Sequence, residues 1–188
     1  MKKIAVLFSG AGSNLKYILD NLHNKDLEVV VAITNNPNAG GIKFAKEYNI
    51  PLYIIDSKLF KKREDFDSKI VQKLQEYRAN LTILAGFMRI LTPIFTDNIK
   101  AINLHPSLLP RHKGIEAIER SYNDNYKYGG VSVHWVTSEL DGGEIILQKR
   151  IDKSELSFDE YESRVKNIEK IALAEGIVEA ISLSPFLP

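Results

Sequence analysis

The stretch Lys3–Leu15, KIAVLFSGAGSNL, decides the fold. Ile4 to Phe8 is an unbroken apolar run without alternation, the pattern of a strand buried on both faces of a sheet. A glycine loop follows it. Leu15, Ile18, Leu19 and Leu22 then recur at helical spacing. Strand, glycine turn and helix together make the opening unit of an α/β sheet, and the chain downstream repeats the rhythm. LEVVVAIT (27–34) is a second apolar run, closed by the turn-rich NNPNAGG (35–41). A short helix over Ile42 to Tyr48 leads to a third strand in PLYIID (51–56). Phe66, Ile70, Leu74 and Tyr77 share one face of a helix between Glu64 and Tyr77, and LTILAG (81–86) and AINLHP (101–106) are strands four and five.

Beyond residue 130 the pattern changes. VSVHWVT (131–137) and EIILQKRI (144–151) are two strands joined by SELDGG, which makes a hairpin. SFDE (157–160) offers Ser157 as N-cap and Glu160 as its capping-box partner, and Tyr161, Val165, Ile168 and Ala172 form the apolar stripe of the helix that follows. The fold expected is α/β: a doubly wound, mostly parallel sheet with an antiparallel hairpin at one edge and a long C-terminal helix. No repeat, low-complexity run or linker interrupts the 188 residues, so one domain over 1–188 is expected.

Composition excludes several classes. Lysine plus arginine number 25 against 24 acids, a net charge of +1 that gives no global attraction to nucleic acid or to a membrane surface. KLFKKRED (58–65) is a local basic run of the kind that usually forms a solvated helix face. There is no cysteine, hence no disulfide, thiolate metal site or cysteine nucleophile. The apolar run after the first lysines is too short for a signal peptide, and no stretch reaches transmembrane length, so a cytoplasmic protein is expected.

The glycine loop FSGAGSNL (8–15) lies where α/β proteins receive anions. It is not a dinucleotide fingerprint, because the third glycine would fall at Leu15 and the second strand ends in Thr34, Asn35 and Asn36 without an acid. Nor does a Gly-Lys-Ser/Thr follow. Two readings remain: a single-phosphate site at Gly12, Ser13 and Asn14, or a tight turn capped by Ser13 or Asn14.

The fifth strand ends in an amide and an imidazole. Asn103 and His105 are two apart and so point to one face, at the carboxyl end where open sheets bind ligands. Pro106 stiffens the backbone that presents His105. An amide donor beside an imidazole suits a tetrahedral oxyanion in acyl transfer; a histidine that only satisfies the strand end is the alternative. Ser107 lacks a nucleophile-elbow context. Asp141 in the hairpin loop is either turn chemistry or a carboxylate that raises the pKa of a neighbouring imidazole. His134 reads as core, His23 and His112 lie in polar segments, and no pair of histidines has metal-ligand spacing, so no metal is expected.

GSNL (12–15), LAGFMRIL (84–91), NLHPSLLP (103–110) and ELDGGEIILQ (139–148) stand in the order and spacing of a known family. On these segments the chain resembles the glycinamide ribonucleotide formyltransferases of purine synthesis, from about Lys3 to Gln148 and more faintly along the last helix. NLHPSLLP with LDGG is shared with the wider formyl-tetrahydrofolate transferases, including those acting on methionyl-tRNA and sugar amines. GSNL and LAGFMRIL are more specific.

The resemblance implies a Rossmann-like formyltransferase fold and 10-formyltetrahydrofolate as co-substrate. It implies that Gly12, Ser13 and Asn14 hold the substrate's 5′-phosphate and that Glu169 touches its ribose. Arg63, Met88, Arg89, Ile90 and Leu91, with Asn103 and the loop Thr137, Ser138, Glu139, Leu140 and Asp141, would hold the folate. Asn103, His105 and Asp141 would be the catalytic trio. Lys166, Ile168, Lys170 and Ile118 depart from the family pattern, and the tail after Leu183 is short. The partners implied are small molecules, with no nucleic acid and no membrane, on a monomer or weak homodimer. A tRNA formyltransferase would carry a further basic domain, a sugar enzyme would not need this phosphate loop, and a formyltetrahydrofolate hydrolase would add an N-terminal regulatory domain. Outside that chemistry, the rivals are a nucleotide-binding oxidoreductase and a passive phosphate-binding module. The missing fingerprint opposes the first, and the pairing of Asn103 with His105 opposes the second.

Overall fold

β1 (Lys2–Phe8) feeds two cores at once. Ile4, Val6 and Phe8 pack on one face of the sheet and Ala5 and Leu7 on the other, all without solvent exposure. This is why the run shows no alternation: both faces of the strand are interior. The structure, a computed structural model, describes residues 1–183; the short tail after Leu183 lies outside the described residues.

From β1 the chain passes through α1 (Ser13–Asn21), β2 (Leu27–Thr34), α2 (Ile42–Glu47) and β3 (Leu52–Ile54). It then runs through a 3₁₀ turn (Ser57–Leu59), α3 (Arg63–Tyr77), β4 (Leu81–Leu84), α4 (Pro93–Thr96) and β5 (Ala101–His105). α5 (Ala117–Asn123), β6 (Tyr128–Trp135), β7 (Ile145–Asp152) and α6 (Phe158–Ser182) complete it. The seven strands form one sheet in the order β3-β2-β1-β4-β5-β6-β7. β1 to β5 are parallel, and β6 is antiparallel to both β5 and β7, so β6 alone runs against the rest. The order switches direction between β1 and β4, which opens a crevice beyond their carboxyl ends.

One face of the sheet is covered by α1 and α6, the other by α3, whose Phe66, Ile70 and Leu74 are buried, and by Phe95 of α4. Ala101 belongs to the α3 core, so Asn103 and His105, two and four residues on, point to that same face. α6 starts with the expected capping box: Ser157 Oγ accepts from the Glu160 N–H, and Glu160 Oε2 accepts from the Ser157 N–H at 2.8 Å. Tyr161, Val165 and Ala172 are fully buried along it, and Ile168 is half-buried.

The doubly wound architecture, the antiparallel edge and the long last helix are as the sequence implied. Three details differ. β3 has only three residues, because it is an edge strand with Pro51 just ahead of it. β6 begins at Tyr128, earlier than its apolar run. α5 has only seven residues, with Ala117 and Ser121 buried and Ile118 and Tyr122 half-buried against the core, too short a stretch to leave a clear periodic signal.

Candidate active site

Beyond the ends of β4 and β5 lies a cavity of about 1000 Å³. That is room for a ligand of drug size. Arg63, Met88, Arg89, Ile90, Leu91, Asn103, His105, Thr137, Ser138, Glu139, Leu140 and Asp141 all line it, so every residue expected at the folate shares one space with the trio expected to be catalytic. Its walls are largely apolar, with Met88, Ile90, Ile115 and Leu140 exposed at the opening, and Lys113 and Arg120 add positive charge. The segment from Met88 to Leu91 is fixed at both ends. The Met88 N–H donates to Ser9 Oγ at 2.8 Å. At the other end the Thr92 N–H and hydroxyl donate to the buried Asp67 carboxylate at 2.6 and 2.7 Å. Arg89 also lies over the Phe66 ring, 5.3 Å from its centroid.

Asp141 is the hub. Its Oδ2 accepts the Gly114 N–H at 2.9 Å and lies 3.4 Å from His105 Nδ1. Its Oδ1 is 3.4 Å from Asn103 Nδ2 and 3.5 Å from His134 Nε2. Burial opposes the charge on Asp141, but the polar contacts around it, the Gly114 N–H among them, outweigh it, and the carboxyl sits below the usual range. The Asp-Gly turn chemistry is also real: Asp141 has φ 50°, in the left-handed region that aspartate tolerates better than most residues.

His105 is buried and engaged at both nitrogens. Nε2 lies 2.8 Å from the carbonyl oxygen of His112, which can only accept, so Nε2 carries a proton. Nδ1 faces Asp141. Burial pulls the imidazole below its ordinary range; the His112 carbonyl and Asp141 pull upward and are outweighed, while His134 and Arg120 add to the lowering. Asp141 does raise the histidine, as expected, but the net direction is set by burial, which the sequence could not weigh. Both ring nitrogens thus face acceptors, which favours the cation locally, while depth in the fold opposes it and outweighs the two.

His134, expected in the core, belongs to the site. It is buried and pairs with Asn103 across β5 and β6. Its Nδ1–H donates to the Trp135 carbonyl at 2.9 Å, which leaves Nε2 to accept from Asn103 Nδ2 at 3.2 Å. The signal that could have found it was register: a hairpin placed against the fifth strand sets position 134 opposite 103.

The glycine loop stands on the other side of the crevice. Gly12 is the N-cap of α1 at φ 77°, and no side chain caps the helix, so neither Ser13 nor Asn14 plays the capping part. Gly12 must be glycine: a Cβ there would collide with Gly41 Cα. Asn14 Oδ1 is buried without a partner. Glu169 is half-buried on α6, which packs against α1. Burial pushes its carboxyl up to about 7, against the pull of Lys166 and Lys170. Gly12, Ser13, Asn14 and Glu169 do not line the cavity; the loop adjoins it through Ser9, whose N–H donates to the Gly86 carbonyl at 3.1 Å. Among the described residues no group of three histidines or acids is placed to hold a metal.

A profile of the formyl transferase family matches residues 2–177. The chain is 40% identical over 174 residues to a phosphoribosylglycinamide formyltransferase of Haemophilus influenzae, covering 90% of this chain and 82% of that one. It is 39% identical over 153 residues to the human trifunctional purine biosynthetic protein adenosine-3, covering 79% of this chain but only 15% of that protein. The crystal structure of phosphoribosylglycinamide formyltransferase from Campylobacter jejuni is 52% identical and superposes with a TM-score of 0.93 over 96% of this chain and 97% of its own.

Proposed function

Since the chain belongs to the phosphoribosylglycinamide formyltransferases, within the formyl transferase family, we propose that it moves a formyl group from 10-formyltetrahydrofolate to the primary amine of 5-phosphoribosylglycinamide. It is a formyltransferase of purine biosynthesis; the substrate pair and the roles of individual residues are the proposal. The observation that carries it is the convergence of Asn103, His105 and His134 on the buried Asp141, at the wall of a cavity with apolar sides.

The amine attacks the formyl carbon, a tetrahedral oxyanion forms, the bond from carbon to N10 breaks, and the proton shed by the amine ends on N10. No covalent enzyme intermediate is needed, so the protein's work is positioning and electrostatics. Asn103 Nδ2 donates to the oxyanion, exchanging its long 3.4 Å contact with Asp141 for the ligand. His105 Nδ1, bare at rest, takes up a proton as negative charge develops beside it, and Asp141 stabilises the imidazolium. The proton then passes to N10 through Asp141 or a water between them.

Arg63, Met88, Arg89, Ile90 and Leu91, with Thr137, Ser138, Glu139 and Leu140, would hold the folate as co-substrate. Gly12, Ser13 and Asn14 would hold the 5′-phosphate, supported by a helix start with no side-chain cap, and Glu169 would meet the ribose. One formyltransferase domain acting on small molecules in the cytoplasm, as a monomer or weak homodimer, completes the proposal. No helix of the described residues is long and apolar enough to cross a membrane.

The test is to incubate the chain with 10-formyltetrahydrofolate, with and without the ribonucleotide, and follow deformylation. Turnover that requires the ribonucleotide is expected. Turnover without it would indicate a hydrolase, and none with either would overturn the proposal.

A further inference from the structure

Behind His105 lies a second set of charged groups that the proposed reaction does not use. Lys153 is buried, 7% exposed, near the end of β7. Its ammonium donates to the carbonyls of Ser121, Tyr122 and Asp124 and to Asp124 Oδ1 at 2.6 Å. The other carboxylate oxygen, Asp124 Oδ2, takes His112 Nε2 at 2.6 Å and Arg111 Nη1 at 3.2 Å. Burial alone would raise the Asp124 carboxyl, but the bonds from Lys153 and His112 hold it at about 2, so it is charged at any working pH. His112 is a non-glycine residue at φ 56°, a conformation that persists only where surroundings enforce it.

That enforced peptide faces the site. The His112 carbonyl takes the Nε2–H of His105 at 2.8 Å, and two residues on, the Gly114 N–H holds Asp141 at 2.9 Å. A single short turn therefore grips both members of the His105–Asp141 pair, one through a carbonyl and one through an N–H. Resting on the reading of His105 as part of the chemical step, we propose that His112 is a positioning residue for it: its side chain, locked through Asp124 to Lys153, fixes the peptide that sets the tautomer and aim of the His105 ring.

A network that serves stability alone would make a different prediction. It would lower the melting point when cut and leave the His105 ring as it was. The variant to make is His112→Gly, since glycine accepts the positive φ without strain and only the anchoring side chain is lost. His112→Gln keeps an amide donor for Asp124 and serves as the rescue. Asp124→Asn is the second approach, should the glycine variant fold poorly. The readout is nitrogen NMR of the histidine rings in the full chain, together with kcat and KM.

The intact protein should show His105 as the Nε2–H tautomer. In His112→Gly the ring should move to mixed tautomers and titrate lower, because the His112 carbonyl no longer favours the cation; Asp141, His134 and Arg120 are the other charged or titratable groups facing it. kcat should fall roughly 10- to 100-fold with KM little changed, the cost of misaiming a reacting group by about an ångström. His112→Gln should recover most of both. A folded His112→Gly with an unaltered His105 ring overturns the proposal, whatever its activity. His105→Ala with normal turnover would instead overturn the chemical role of His105, and the ring data tell the two failures apart.

Discussion

Asn103 and His134 face each other across β5 and β6, with the amide nitrogen of the first 3.2 Å from Nε2 of the second. Because the Trp135 carbonyl occupies the other ring nitrogen of His134, Nε2 is an acceptor, and it turns the amide so that nitrogen, not oxygen, looks toward Asp141. A buried histidine thus sets which end of an asparagine faces Asp141 at the cavity wall.

Asn103→Ala and His105→Ala should fold and lose turnover. Removing the oxyanion donor Asn103 should raise the barrier by about 2.7–4 kcal/mol, or 100- to 1000-fold in kcat, and removing the proton acceptor His105 should cost about 100- to 10,000-fold. Steady-state kinetics on variants whose circular dichroism matches the parent is the check. Near-normal turnover in either would remove that residue from the chemistry.

Asp141→Asn should move the acidic limb of the rate profile to lower pH as well as reduce kcat. The carboxylate is one of the two groups that pull the His105 pKa upward; without it burial, His134 and Arg120 lower it further, so the ring stays neutral into more acidic solution. A limb that does not move would mean that Asp141 and His105 are not coupled.

His105 should also weaken the fold in acid. Its folded pKa lies below the reference of 6.5, so the unfolded chain binds the proton first and stability falls as pH drops below 6.5, until the folded ring also titrates. Urea unfolding between pH 7 and pH 5 should show a shallower decline in His105→Gln than in the parent.

Glu169→Gln should be more stable than the parent at pH 8 and little different near pH 4. The carboxyl is raised to about 7 in the fold from 4.5, so ionisation penalises the folded state increasingly between those values. The gain should approach at most about 3 kcal/mol. If the proposed ribose contact holds, the same variant should show a higher KM for the ribonucleotide, stability and affinity moving in opposite directions.

Gly12→Ala should destabilise by about 1–3 kcal/mol, since alanine is strained at φ 77° and its Cβ meets Gly41. Any folded fraction should show a raised KM for the ribonucleotide and an unaltered KM for the folate. Equal losses for both would argue against a phosphate site in the loop.

The unbroken run Ile4–Phe8, the helical spacing from Leu15 and the Ser157–Glu160 box are local patterns, and local patterns are legible in a sequence. The shared face of Asn103 and His105 followed from strand geometry alone. What stayed hidden depends on distant chain. His134 enters the site through register, the Nε2 partner of His105 is a backbone carbonyl and thus invisible as a residue type, and the fall in the His105 pKa reflects burial depth rather than neighbours in sequence. The uncapped start of α1 was hidden too, because Ser13 and Asn14 are both good caps and it is the packing of Gly12 on Gly41 that sets the turn.

That glycine contact has a consequence for redesign. Where a helix opens on a glycine pressed against another glycine, the turn itself has no side chain to exchange. That turn is therefore closed to gradual retuning: a substitution at Gly12 breaks it before it alters any preference. The other side of the crevice is open. Met88, Ile90, Ile115 and Leu140 stand exposed at the cavity mouth, so altered selectivity should be sought there first, in laboratory evolution as in inhibitor design.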